Sequence, residues 1–498
     1  MKKVLSLVLC ALMLMSVTVL GVSADDYDQP FEEYTLGSER FRIPALYTLN
    51  DGSVIAGADV RYSHGSDSPN NIDITVAISK DGYTGWEYNV INYFDDYSDD
   101  QTATDSASYI DSAIAQSSTG RIFVVADLYP TGGGWMTAGK GTGYAEIDGV
   151  NRMLLTDGDY TAAPKNFKYY IGEGGVVYNR NDKTATEYTV DEEFRLYKNG
   201  KALMMDQKGS EGVQVQQNVF YKEAELSCYL TAYLSMRYSD DNGKTWKDQG
   251  HVYKSGLWTT NVTVGCWEPF VLELPDGTVQ IYFADETPYY ALGSKRHNIS
   301  LIESKDGGDT WSQAKVITQN GDNRDGMPVV TLHEDKILLA IESTDGVHKR
   351  LHPIVVCSPI EDNWSSVVGN GSPYRFHPFE KSIKSSVVYS GAPYIITTDN
   401  YIVYSYQISD WYDAKTLTEA KAKNNEEHST LEVQVCPKSE VKDGFFHTMR
   451  APSRPIKLDQ SKEQAIWNSL CDLGNDEVMA VSQYNNKVYI VRGKIVMK

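Results

Sequence analysis

Arg42, Arg61 and Asp67 are the first residues of this chain whose types and spacing suggest chemistry. Two guanidiniums and a carboxylate within 25 positions suit recognition of a polar ligand, because Arg offers a rigid fork of donors and Asp only acceptors. Taken one at a time, each also reads as a solvated rim charge. Their setting argues for grouping. Apolar runs Ile43 to Leu49, Val54 to Ala58 and Ile72 to Ile78 are separated by the Asn50-Asp51-Gly52 turn and the polar loop Ser63 to Asn71. Such runs read as three antiparallel strands with a hairpin between the first two. Arg42 then heads the first strand, Arg61 ends the second, and Asp67 sits in the loop beyond it.

A second pattern recurs along the chain. Ser239-Asp240-Asp241-Asn242-Gly243-Lys244-Thr245-Trp246 and Ser304-Lys305-Asp306-Gly307-Gly308-Asp309-Thr310-Trp311 both match S-x-D-x-G-x-T-W, and Ser79 to Trp86 is a degenerate copy. In this pattern the Asp folds back on turn amides, the Gly permits the tight turn, and the Trp packs under the hairpin. The repeat is structural and not a calcium loop. Ile360 to Trp364 reads as a decayed copy. A repeated four-stranded unit of this kind implies a β-propeller. Ser239 and Ser304 are 65 positions apart, whereas Ser79 and Ser239 are 160 apart, so extra chain interrupts the ring between them.

Phe41-Arg42-Ile43-Pro44 matches the FRIP motif of bacterial sialidases, and the run through Asp59-Val60-Arg61-Tyr62 to Asp67 is similar to their first blade. The S-x-D-x-G-x-T-W repeat is the Asp-box of the same superfamily. The resemblance implies an all-β, six-bladed β-propeller with an inserted small β domain. It divides the chain into 1–24, 25–127 (propeller, first part), 128–235 (insertion) and 236–498 (propeller, remainder). It also implies that Arg42 grips a substrate carboxylate, that Asp67 is the acid/base, and that Asp111, within Ser108 to Ser112, faces the sugar. The stretch from Gly265-Cys266-Trp267-Glu268-Pro269-Phe270 to Leu339-Ala340-Ile341-Glu342 resembles exo-arabinanases on the same ring, which implies Glu268 and Glu342 as a catalytic pair.

Departures from the sialidase pattern bear on the substrate. Glu342 falls at the second arginine position, the third has no clear counterpart (Arg350 and Arg454 are nearest), and Trp467 falls where the family carries its nucleophilic tyrosine. A glutamate in place of an arginine reverses the local sign and disfavours an anionic sugar in a poorly solvated site. Asp67, Glu268 and Glu342 remain as three candidate catalytic carboxylates. Arg42, Arg61, Asp111 and Trp467 remain as candidate substrate contacts, and Trp267, Tyr289 and Tyr290 as rings that could stack on a sugar. Glu268 and Glu342 are expected to line the Arg42 pocket without an arginine triad. The expected activity is exo-acting glycoside hydrolysis of a terminal sugar, a neutral one in preference to a sialic acid. The alternatives are an exo-arabinanase-like hydrolase and a non-catalytic carbohydrate-binding propeller.

Composition narrows the partners. A formal net charge of −21 disfavours nucleic acid and anionic membranes; the resemblance implies a glycan partner, and a monomer is expected. Lys2-Lys3, an apolar run from Val4 to Leu20 and Val22-Ser23-Ala24 before Asp25 read as a secretory signal peptide, so residues 1–24 are expected to stay outside the fold of a secreted, extracellular protein. Cys228, Cys266, Cys357, Cys436 and Cys471 are widely spaced and odd in number, which reads as buried thiols without a disulfide framework or zinc spacing. No metal or cofactor is expected.

Overall fold

The computed structural model describes residues 17–21, 40–62, 65–67, 70–92, 108–129, 143–158, 164–191, 194–207, 210–219, 221, 223–228, 232–255, 265–290, 297–321, 323–344, 351–379, 387, 389–410, 428–484 and 487–497. Among them the regular structure is almost wholly β, with one short α-helix at Thr287–Tyr290.

Four sheets have four antiparallel strands each. Three of them begin at Cys266–Glu273, Asp325–His333 and Tyr389–Thr397. The fourth runs from Ala465–Asp472 through Glu477–Tyr484 and Lys487–Met497 to Val17–Gly21. An eight-stranded sheet holds the rest of the ring. It consists of Arg40–Thr48, Val54–Arg61, Ile72–Ser79 and Glu87–Asn92, followed by Ser108–Gln116, Ile122–Tyr129, Tyr233–Ser239 and Lys247–Lys254. The expectation of six separate four-stranded sheets is corrected here. A single parallel bridge, Ile72 to Ser108, joins these two antiparallel quartets into one sheet.

The first strand of each quartet packs against the next. The order is Arg40–Thr48, Ser108–Gln116, Cys266–Glu273, Asp325–His333, Tyr389–Thr397 and Ala465–Asp472, and the last packs back on the first. Their second strands are continuously buried, as in Ile281 to Ala284 and Ile337 to Ile341, because both faces of each sheet meet a neighbour. The closure is tied by bonds between distant parts of the chain, such as the Leu46 amide to Ser469 Oγ at 2.9 Å.

Between Ile122–Tyr129 and Tyr233–Ser239 lie a further eight-stranded sheet and a two-stranded one, Met204–Gln207 with Ser210–Gln216. Met153, Leu155, Val177 and Leu196 of this region share one apolar cluster with Leu128 and Tyr233.

Residues 1–24 do not stay wholly outside the fold, contrary to expectation. Val17–Gly21 pairs antiparallel with Lys487–Met497, from Val17 opposite Met497 to Gly21 opposite Gly493. An open sheet edge presents unpaired amides and carbonyls, and any extended segment in reach can satisfy them.

The Asp-box aspartates lie in hairpin turns and do not line the cavity described below. Asp241 accepts from the Thr245 amide at 2.8 Å and Thr245 Oγ1 at 2.6 Å, and Asp306 accepts from the Thr310 amide at 2.9 Å. These turn bonds hold the carboxyls of Asp241 and Asp306 at about 2. All five cysteines named above are free and buried.

Candidate active site

The site is built from one backbone device used six times. In each of the six ring strands an extra residue opposes the neighbouring strand just past the pairs Arg42–Asp59, Ile110–Asp127, Trp267–Ala284, Gly326–Glu342, Gly391–Gln407 and Ile466–Gln483. The residue that follows each pair has positive φ: Ile43 (49°), Asp111 (59°), Glu268 (55°), Met327 (50°), Ala392 (44°) and Trp467 (52°). A non-glycine residue in this region costs about 1–3 kcal/mol and persists only where its surroundings over-determine it. β-Bulges re-aim side chains in this way next to active sites.

What fixes the bulges is a hand-over from sheet to sheet. Asp59 Oδ1 accepts the amide of Asp111 at 3.2 Å, and Asp127 Oδ2 accepts that of Glu268 at 3.2 Å. Glu342 Oε2 accepts the amide of Ala392 at 3.1 Å, and Gln407 Oε1 that of Trp467 at 2.7 Å. Ala284 occupies the corresponding place in the third quartet and has no acceptor to give. Glu268 Oε2 fills in and takes the Met327 amide at 2.7 Å.

A cavity of about 120 Å³ opens where these strands meet, lined by Ile43, Asp67, Ile110, Asp111, Tyr129, Trp267, Glu268, Met327 and Trp467. Five of the six bulge residues, all but Ala392, thus reach it with Asp67. Tyr129 and Trp267 sit with ring centroids 5.2 Å apart, and the Arg42 guanidinium lies 6.0 Å from the Trp467 ring centre, within cation–π range.

Two of the expected contacts, Asp111 and Trp467, line the cavity together with two of the expected catalytic carboxylates, Asp67 and Glu268. Arg42 stands beside it: one guanidinium nitrogen donates to the Gly65 carbonyl at 2.6 Å and lies 3.4 Å from Asp67 Oδ1, while Nε donates to Gln483 at 3.0 Å. Two expectations need correction. Arg61 is wholly buried and donates to Asp59 at 2.8 Å and Asp67 at 2.7 Å, so it positions carboxylates and does not face a substrate. Glu342 is 2% exposed and is absent from the cavity wall; its place opposite Gly326 turns it to Ala392 and to Arg324 at 2.7 Å. A Cβ on Gly391 would fall 2.6 Å from Glu342 Oε2, so glycine there makes room for the buried carboxylate.

Arg324 and Met327 are the additions that sequence comparison missed. Arg324 bridges Glu342 and, at 3.5 Å, Glu268. It precedes the Asp325–His333 strand, outside any motif, and the acidic partners at 268 and 342 were the one available signal. Of the two arginines proposed for the vacant family positions, Arg454 pairs with Asp410 and Glu432, and Arg350 lies outside the described residues, as do the side chains of Tyr289 and Tyr290.

The electrostatics are dominated by carboxylates. Burial raises Asp59 to about 6 against the pull of Arg61. Burial, with the carboxylates of Asp59, Glu268 and Asp67, pushes Asp111 well above the ordinary range, and burial beside Asp111 and Glu268 does the same to Asp127. Burial also raises Glu268, opposed by Arg324. Among the described residues no group of three or more His, Cys, Asp or Glu could hold a metal ion, and no helix is long and apolar enough to cross a membrane.

No family model matches the chain. Among curated proteins it is similar to the anhydrosialidase of Macrobdella decora, 30% identical over 353 residues, which covers 55% of this chain and 45% of that protein. Sialidase B of Streptococcus pneumoniae is 32% identical over 234 residues, or 42% of this chain and 33% of that protein. The matched part of the chain therefore spans less than half the length of these relatives. Among solved structures, the intramolecular trans-sialidase from Ruminococcus gnavus, in complex with oseltamivir carboxylate, aligns with a TM-score of 0.67 and 21% identity, covering 91% of this chain and 94% of that one. At that identity the likeness speaks for the fold. A FRIP-headed first strand, Asp-box turns and these matches to named sialidases make the chain similar to the sialidase superfamily.

Proposed function

We propose that the protein is a secreted, exo-acting glycoside hydrolase that removes a neutral terminal sugar from a glycan, on a ring read as six blades. One observation carries the reading: the cavity presents the carboxylic side chains of Asp67, Asp111 and Glu268 beside the rings of Trp267, Trp467 and Tyr129. Carboxyl pairs do the chemistry of most glycosidases, and aromatic faces suit the apolar faces of sugars. The neutral sugar follows from the charges. Arg61 is held by Asp59 and Asp67, and Arg324 by Glu268 and Glu342, so these two guanidiniums are already compensated. A sialic carboxylate taken out of water beside this wall would lack the matching cations.

A second reading, cleavage or transfer of sialic acid, is favoured by Arg42 at the head of the first strand and by the names of the homologous proteins. A panel of fluorogenic glycosides separates them. Release from arabinofuranosides or other neutral glycosides supports the first reading and release from a sialoside the second. Binding without release would support a carbohydrate-binding propeller and sink both. Secretion is supported by the composition of residues 1–24 and is checked by sequencing the N-terminus of exported protein.

A further inference from the structure

Three buried donors on residues of the cavity wall have no acceptor among the described residues: Tyr129 Oη, Trp267 Nε1 and Trp467 Nε1. Tyr129 is 4% exposed, so its hydroxyl has little access to bulk water. A buried donor without a partner is costly, and three together call for an occupant rich in oxygen acceptors. The same wall holds Asp111, at a bulge that aims it inward, in a crowd of carboxylates from every element around it. These are Asp59 on Val54–Arg61, Asp127 on Ile122–Tyr129, Glu268 on Cys266–Glu273 and Asp67 in the loop. The nearby cation Arg61 is bound to Asp59 and Asp67, and among the described residues neither Asp111 nor Asp127 makes an ion pair.

We propose that Asp111 is the proton donor of this site, a neutral carboxyl facing the cavity that protonates the glycosidic oxygen as its bond to the anomeric carbon breaks. The assignment rests on the glycosidase reading above. The Oδ–H bond of Asp111 breaks and an O–H bond forms on the leaving oxygen, which keeps the electron pair of the cleaved C–O bond. Water then adds its hydroxyl to the anomeric carbon, and its remaining proton restores the carboxyl of Asp111. Burial and the surrounding carboxylates favour this neutral form. Asp67 is suited to the opposite state. It is 51% exposed, and its Oδ1 receives Arg61 at 2.7 Å and faces Arg42 at 3.4 Å, contacts that hold an ionised carboxylate. Glu268, with the Met327 amide on Oε2 and Arg324 near Oε1, is the second carboxylate, which attacks or stabilises the anomeric carbon until water replaces it.

The test compares wild type, D111N and D67N on two glycosides of one sugar, one with a methyl and one with a 2,4-dinitrophenyl leaving group. Asn tolerates positive φ, so D111N keeps the backbone. D111N is expected to lose about 10²- to 10⁴-fold on the methyl glycoside. It should lose far less on the dinitrophenyl one, whose leaving oxygen needs no proton, and the alkaline fall of kcat/KM should disappear. D67N should show no such split. Independently of turnover, the infrared spectrum of wild type at pH 7 should contain a protonated-carboxyl band that D127N retains and D111N lacks. Equal losses on both substrates, the split appearing in D67N, or a missing band would overturn the assignment alone. Failure of wild type to cleave any glycoside would overturn the glycosidase reading and this assignment with it.

Discussion

Glu268 Oε2 accepts the Met327 amide at 2.7 Å, in the place where neighbouring quartets use a side chain of their second strand. The carboxylate therefore has a structural duty as well as a chemical one, and two substitutions should separate them. E268Q keeps an acceptor for Met327 and should fold like wild type while turnover falls by about 10²- to 10⁴-fold. E268A loses both and should also unfold at a lower temperature. Steady-state kinetics beside thermal melts would check this, and equal melting points would refute the structural half.

Arg61 is buried between Asp59 and Asp67, so its loss leaves Asp59 as an uncompensated buried group. Breaking such a pair typically costs about 3–5 kcal/mol. R61M should show a loss of this order in urea titrations at pH 8. The loss should be smaller at pH 5, because Asp59, already raised to about 6, can take up a proton. The D59N/R61M double variant should recover most of it.

Stability should be greatest in mildly acidic solution. Asp59, Asp111 and Asp127 have folded values above their unfolded ones, so the stability they contribute is present at low pH. It is lost as pH rises through their raised values, about 6 for Asp59. Asp81, Asp241 and Asp306, held at about 2, act in the other sense, and their contribution is lost as pH falls from the ordinary carboxylate range towards 2. Melting temperature measured against pH should therefore pass through a maximum. D127N, whose amide oxygen can still accept from Glu268, should flatten the upper limb and exceed wild type above pH 7.

The Asp-box turns are remote from the cavity. D306A removes the acceptor for the Thr310 amide and for Ser304 Oγ, and it should lower the melting temperature while leaving kcat/KM unchanged. A fall in kcat/KM at a temperature where the variant is fully folded would show that the turn reaches the site.

Trp467 lines the cavity, and its indole N–H has no acceptor among the described residues. W467F keeps a ring and removes the donor; it should raise KM more than it lowers kcat, since binding common to ground and transition states is what it removes.

The parts legible in sequence are those written in local spacing. The Asp-box pattern gave the Asp241 and Asp306 turns, and the alternation around Asn50-Asp51-Gly52 gave the first hairpin, because both depend on residues a few positions apart. The six bulges are properties of register between strands, and no single strand's pattern reveals an extra residue in its pairing. Glu342 was expected in the pocket from the exo-arabinanase resemblance, whereas its pairing with Gly326 turns it towards Ala392. Arg324 stayed hidden because it precedes its strand and acts by bridging two glutamates that are distant in the chain.

Ring closure has a consequence for how the protein comes into being. Arg42 is held by Gln483, and the Arg40–Thr48 strand by Ser469 and Asp472, partners more than four hundred positions further along the chain. During synthesis the first quartet emerges long before its neighbour across the seam exists. Until the final sheet leaves the ribosome, the carboxylate-rich wall and its strained bulges stand on an open ring in which Arg42 lacks its bond to Gln483. Binding competence should therefore arrive in a single late step, and a chain cut anywhere before Ala465 should retain folded sheets but no working cavity.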